Sequence, residues 1–253
     1  MAPVSTSAVL LRGHAYGDSS RILRFYTLEH GLLSVMARGV RGKNGKGNTT
    51  LSSYATGMLT AYVRPQRDLH TMKDFECGRL RVGLGADVRR FAGAAATAEL
   101  VLVHADQESH PDLFRALEYG LDLIETCDTA AVPAASLSAL WQVTEAFGFA
   151  PELDHCVLCA EALGPEEIGR FDFPAGGVRC AECGEGAAGP QVGPIARAQI
   201  RGLVTGRPEV ALTHPRRHLG LLSDFVAFHV ASRPLKSFHF LGTMMPEEEP
   251  TPA

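Results

Sequence analysis

Four of the six cysteines fall in two short steps, Cys156-x2-Cys159 and Cys180-x2-Cys183, with twenty residues between them. Two CxxC steps at this separation can bring four thiolates onto one tetrahedral centre, the geometry that Zn²⁺ takes in structural sites. Between them lie Gly164, Pro165, Pro174, Gly176 and Gly177, turn residues that leave a ribbon with little apolar core of its own. A metal would have to hold such a ribbon, contributing about 10–16 kcal/mol in comparable small modules. Four thiolates close the shell and leave no position for water, so the expectation is one structural Zn²⁺ and no metal-assisted hydrolysis or deamination. His155, beside the first step, is read as a spectator, and Cys77 and Cys127 as core cysteines.

Other chemistry is harder to place. Gly42 and Gly47 have the separation of a phosphate-binding loop, but Asn48 follows where that loop needs Lys. There is no HExxH, no G-x-S-x-G, and no G-x-G-x-x-G opening a helix after a strand. The chain therefore reads as a binding protein and not an enzyme. Its net charge of −4 hides an asymmetry: residues 1–82 hold twelve Lys or Arg against five Asp or Glu, a balance of +7, which leaves −11 for the remainder. That division points to a polyanion for the first part and to solvent or a protein for the second. The residues from Met1 to Leu11 lack a basic n-region, and no run of about 18 uncharged apolar residues occurs, so a soluble, cytoplasmic protein without membrane contact is expected, a setting that disfavours disulfides.

The elements that must position these groups divide the same way. Short runs rich in β-branched and aromatic residues cover about 4–12, 20–27, 32–38, 54–64 and 69–75. In the third, Leu33, Val35 and Ala37 alternate with Leu32, Ser34, Met36 and Arg38, the period of strands with one buried face. Five short strands fit a small closed barrel, of which the OB-fold is the commonest five-stranded form. The stretch from Gly39 to Asn48, with four glycines and three cations, reads as an exposed loop. From about residue 84 the sequence becomes alanine-rich and helical: Leu113, Phe114, Leu117, Leu121 and Ile124 follow Pro111, Leu137 to Phe147 ends at Gly148, and Leu219, Leu222, Val226 and His229 follow Pro215. The predicted organisation is α+β: an OB-fold DNA-binding domain over 1–82, an all-α domain over 83–245 with a zinc module inserted at 153–190, and a disordered acidic tail over 246–253.

Several stretches together resemble the RecO recombination mediators. They are Tyr16-Gly17-Asp18-Ser19-Ser20-Arg21-Ile22-Leu23, Tyr26-Thr27-Leu28-Glu29-His30-Gly31, Ala37-Arg38-Gly39-Val40-Arg41-Gly42 and Arg67-Asp68-Leu69, then the paired CxxC steps, and Phe228-His229 before Arg233-Pro234-Leu235-Lys236-Ser237. The resemblance implies an amino-terminal OB-fold, a helical domain carrying the zinc module, and no turnover. It also implies binding of single- and double-stranded DNA, annealing of complementary strands, and work with RecR to replace single-strand-binding protein by the RecA recombinase. Leu32, Leu33 and Ser34 depart from the pattern, since many relatives carry a cation just after the glycine at this place.

The expected DNA site is a groove over the barrel lined by Arg38, Arg41, Lys43 and Lys46, with Arg21, Arg24, Arg64 and Arg67 as further contributors. Phe25, Tyr26, Tyr54 and Tyr62 are read as barrel wall before base platform. The rival reading, a zinc ribbon that itself grips nucleic acid in transcription or RNA processing, is opposed by charge. Residues 156–183 hold Arg170 and Arg179 against Glu161, Glu166, Glu167, Asp172 and Glu182.

Overall fold

The computed structural model describes residues 2–40, 51–64, 67–209, 211–230 and 234–246. Strands β1 (Val4–Tyr16), β2 (Ser20–Thr27), β3 (Gly31–Ala37), β4 (Thr56–Tyr62) and β5 (Leu69–Arg79) close into a barrel in the order β1-β2-β3-β5-β4. Only β3 and β5 run parallel, Ser34 opposite Leu69; the other pairings are antiparallel. Alternation sends Leu10, Leu23, Phe25, Val35, Leu59 and Phe75 inside. In β1 the alternation breaks: Leu10 pairs with Phe25 but Arg12 pairs with Arg24, so Leu11 is the extra residue of a β-bulge.

The strands run further than their hydrophobic runs, β1 to Tyr16 and β5 to Arg79, because the polar ends find ladder partners in Ser20 and Thr56. Strand β4 starts later than the run that marked it, since Tyr54 takes a positive φ of 70° ahead of the strand. Its N–H instead bonds the Leu10 carbonyl at 2.6 Å.

Helices follow: α1 (Gly83–Ala86), α2 (Val88–His104), α3 (Pro111–Thr126) and α4 (Val132–Ala146). Pro111 opens α3 and His110 Nδ1 accepts from the Leu113 N–H at 3.3 Å, a side-chain cap. Helix α4 is buried almost all round, with Trp141 fully enclosed, and packs against α2, α3 and α5 (Pro194–Val204). Helix α6 (Pro215–His229) also lies on α4, and α7 (Lys236–Met244) lies on α2. Between α4 and α5 comes a three-stranded sheet of β6 (Gly169–Asp172), β7 (Gly177–Arg179) and β8 (Gln191–Val192), in the order β7-β6-β8.

The two halves share one core. Val9, Leu11, Tyr26, Leu32 and Tyr54, on the outside of the barrel, belong to the same buried cluster as Leu100, Leu117 and Trp141. Tyr26 stacks on Phe114 with ring centroids 6.4 Å apart, and Tyr54 meets Phe91 edge-on at 6.3 Å. The Leu32 N–H bonds the Asp106 carbonyl at 2.7 Å. Gly31 makes this approach possible: its φ is +58°, and a Cβ there would land on the carbonyl oxygens of Asp106 and Glu108. At the other side of the seam Arg81, 5% exposed, bonds the Tyr54 carbonyl at 2.6 Å and Asp122 at 2.6 Å, while Arg79 pairs with Asp122 at 2.7 Å.

Candidate metal centre and nucleic-acid interface

The ribbon strands are too short to enclose a core of their own; they bury Phe171, Val178 and Val192 against the helices, and the turns that carry the cysteines must be held from elsewhere. The chain enters beside Glu152, whose carbonyl accepts from the Val178 N–H at 3.0 Å, and folds back at Ala160, where φ is 62°. In the first step the Leu158 N–H points at Cys156 Sγ (3.4 Å), and in the second the Cys183 N–H points at Cys180 Sγ (3.4 Å). The four sulfurs of Cys156, Cys159, Cys180 and Cys183 lie within 4.8 Å of one another, a group that could hold a metal ion. Cys156 is buried and Cys159 exposed, so the cluster sits at the surface with one side against the fold.

Without a cation these thiols cannot share charge evenly. Burial works against ionisation of Cys156, yet N–H groups of Cys159, Cys180 and Leu158 bring it down to about 6. The Cys183 thiol, hydrogen-bonded to Cys180 and further kept from ionising by burial, is pushed up to about 12. A divalent cation at the centre would remove this conflict, and a four-sulfur tetrahedral set suits Zn²⁺. His155 turns away to Glu152 (3.7 Å) and is not part of the cluster. Cys77 and Cys127 stand apart, both half-buried.

Helix α6 braces the ribbon. His229 Nε2 meets the Phe173 carbonyl at 2.7 Å in the β6–β7 turn, with its ring among Phe149, Phe225 and Phe228. This gives the Phe228-His229 pair of the sequence a structural task.

On the barrel, the expected DNA-contacting residues separate. Arg38 is exposed just past the end of β3. Arg41, Lys43 and Lys46 lie outside the described residues, as do Arg233 and the tail beyond Pro246. Arg24 faces outward from the middle of β2, opposite Ser34 on β3. Arg21 has the inward parity of Leu23 and Phe25 and spans the barrel's end, donating from Nη1 to the Leu51 carbonyl at 3.0 Å. Arg64 and Arg67 are exposed in the β4–β5 connection. Because β5 runs parallel to β3 from Leu69 opposite Ser34, that connection falls toward the β2–β3 turn, while Arg38 lies toward the β1–β2 turn. The two groups are separated by about six strand residues, or roughly 20 Å.

Of the aromatics, Phe25 is inside the barrel and Tyr26 and Tyr54 are in the seam, as wall residues should be. Tyr62 is half-buried, and Tyr16, not singled out in the sequence, is 52% exposed. Arg12 was also missed. Strict alternation from Ala8 and Leu10 puts it inside, and only the bulge brings it out beside Arg24.

No helix of the described residues is long and apolar enough to cross a membrane. Two family models match the chain: recombination protein O N terminal over residues 1–80 and recombination protein O C terminal over residues 85–238. Relatives of similar length bear the name DNA repair protein RecO. One from Anaeromyxobacter sp. (strain Fw109-5) is 30% identical, with 95% of this chain and 96% of that protein covered. One from Cutibacterium acnes is 31% identical with 92% and 96% covered, and one from Prosthecochloris aestuarii is 30% identical with 91% and 93% covered.

Proposed function

The chain belongs to the recombination protein O (RecO) family of DNA repair proteins, and on that premise we propose that it is a non-catalytic recombination mediator. It binds single- and double-stranded DNA and anneals complementary strands. With RecR it helps to load RecA onto strands coated by single-strand-binding protein, in the cytoplasm at the nucleoid. The observation that carries the DNA-binding part is charge: a balance of +7 falls on residues 1–82, the stretch that contributes the five barrel strands, within a chain that is acidic elsewhere.

The division of labour follows from the residues. Arg38 neutralises backbone phosphate at one end of the β2–β3 face, Arg24 in its middle, and Arg64 and Arg67 at the other; Arg41, Lys43 and Lys46, which follow Arg38 in the sequence, add further phosphate contacts. Arg21 contributes least, since its guanidinium already serves the Leu51 carbonyl. Phosphate contacts leave the bases free, so a complementary strand can pair without first displacing the protein. Cys156, Cys159, Cys180 and Cys183 hold one Zn²⁺ that cross-links the ribbon within 153–190, and the ribbon, acidic by composition, stays off the DNA. The barrel domain spans 1–82, and the helical domain, 83–245, presents acidic surface to protein partners.

The test is annealing of two complementary oligonucleotides, followed by fluorescence across a salt series with zinc-loaded protein and no nucleotide. The expected result is acceleration that fades with salt. Four neutralised phosphates on a single strand would cost about 50-fold in affinity between 50 and 200 mM. Single strands left unbound at low salt would overturn the reading.

A further inference from the structure

Arg12 on β1 and Arg24 on β2 stand directly opposite each other across an antiparallel pair. Residues so placed have Cβ atoms about 4.5–5.5 Å apart, and like charges there destabilise a sheet. Here nothing in the fold offsets them. Among the described residues neither arginine makes an ion pair, and Arg24 Nε is buried with no acceptor. Burial first and the Arg12 charge second make the Arg24 guanidinium less basic than usual.

Among the described residues, the surroundings supply no counter-charge within ion-pair distance. The same lateral row continues to Ser34 on β3, and the next row carries His14, Ile22 and Met36. The acids nearest in sequence, Asp18 and Glu29, lie at the turns at either end of β2. The bulge at Leu11 also matters, because without it Arg12 would point among Leu10, Leu23 and Phe25. A bulge that turns a side chain outward into repulsion from its neighbour returns nothing to the fold itself.

We propose that Arg12 and Arg24 form a two-guanidinium clamp for the backbone phosphate of a nucleic-acid strand, with the Ser34 hydroxyl beside it as a further donor. The inference rests on the DNA-binding reading above and locates its centre on the β1–β2 face, between the two groups of exposed cations. Two forked guanidinium groups suit a phosphate diester, which accepts several N–H bonds and carries the missing negative charge.

The experiment measures two quantities on the full-length, zinc-loaded protein: melting temperature without DNA, and binding of a fluorescent single-stranded oligonucleotide from 50 to 200 mM salt. Arg12→Gln and Arg24→Gln should each raise the melting temperature by about 1–3 °C, since each relieves repulsion. Each should also reduce the slope of log affinity against log salt by about 0.7. Arg24→Lys, which keeps the charge, should keep the slope. A merely structural arginine would lower the melting temperature and leave the slope alone. If wild-type protein binds and both Gln variants keep its slope, the clamp is wrong and the DNA-binding reading stands. If wild-type protein does not bind the oligonucleotide, both fall together.

Discussion

The barrel and the ribbon are both small β structures, but they solve the problem of holding short strands together differently. The barrel closes on its own side chains, with Leu10, Phe25, Leu59 and Phe75 filling it. The ribbon has three strands of two to four residues, four sulfurs at one end, and a brace from His229 at the turn. An apolar interior leaves the barrel's outer surface free for charge, which is where the cations gather. The ribbon has no closed interior of its own: it lays Phe171, Val178 and Val192 against the core of the helices, and its glutamates fall on the remaining sides of a piece whose cysteines gather at the far end.

The largest expected effect comes from removing the metal proposed at the four cysteines. Chelation or Cys156→Ser should release on the order of 10 kcal/mol of local stability, seen as rapid amide exchange across residues 152–192, with protection in β1–β5 retained. Loss of barrel protection in the same experiment would mean that the shared apolar core carries the ribbon's loss through to the barrel. Next in size, Phe25→Ala should cost about 3–5 kcal/mol in denaturant unfolding and leave the metal content of the purified protein at the wild-type value. Gly31→Ala should cost about 2–3 kcal/mol, because the added Cβ meets two carbonyl oxygens at a left-handed backbone position.

The smallest expected effect is a pH dependence shared by both halves. Burial lowers the pKa of His70 in the barrel, and burial followed by the His214 charge lowers that of His218, which bonds Gln199 at 2.9 Å. The folded chain therefore resists protonation at both, whereas the unfolded chain takes up protons below the ordinary value of 6.5. Their stability contribution is therefore complete above that pH and lost as pH falls, by at most about 1.4 kcal/mol per pH unit for each histidine. Unfolding midpoints from pH 8 to 5 for the wild type and His218→Gln should show a shallower fall in the variant.

The sequence made the barrel legible because Leu33, Val35 and Ala37 keep strict period two, and it made the metal site legible because CxxC spacing is itself geometry. Helices α2, α5 and α7 were not delimited. Alanine carries much of α2, so its apolar stripe is faint, and α5 and α7 are short. Helix α4 began five residues before Leu137, on small residues whose burial comes from neighbours. On the barrel, the cations were visible but their grouping was not: parity and register decide that Arg21 spans an end, that Arg64 and Arg67 lie away from Arg38, and that Arg12 stands opposite Arg24. A single extra residue in β1 is invisible in composition and alters all that follows it in the strand.

The seam formed by Tyr26, Leu32 and Tyr54 with Phe114 and Phe91 has a mechanical consequence. The barrel is not tethered to the helices by a linker; it is clamped to them by a continuous apolar joint and by Arg81. If a strand is held at β1–β2 as proposed, tension on it would pass to the helices as through a rigid bracket, with little lost to swivelling. A protein docked on the helical side would ride at a fixed angle to the gripped strand, and a barrel excised at residue 82 would expose an apolar flank and clump.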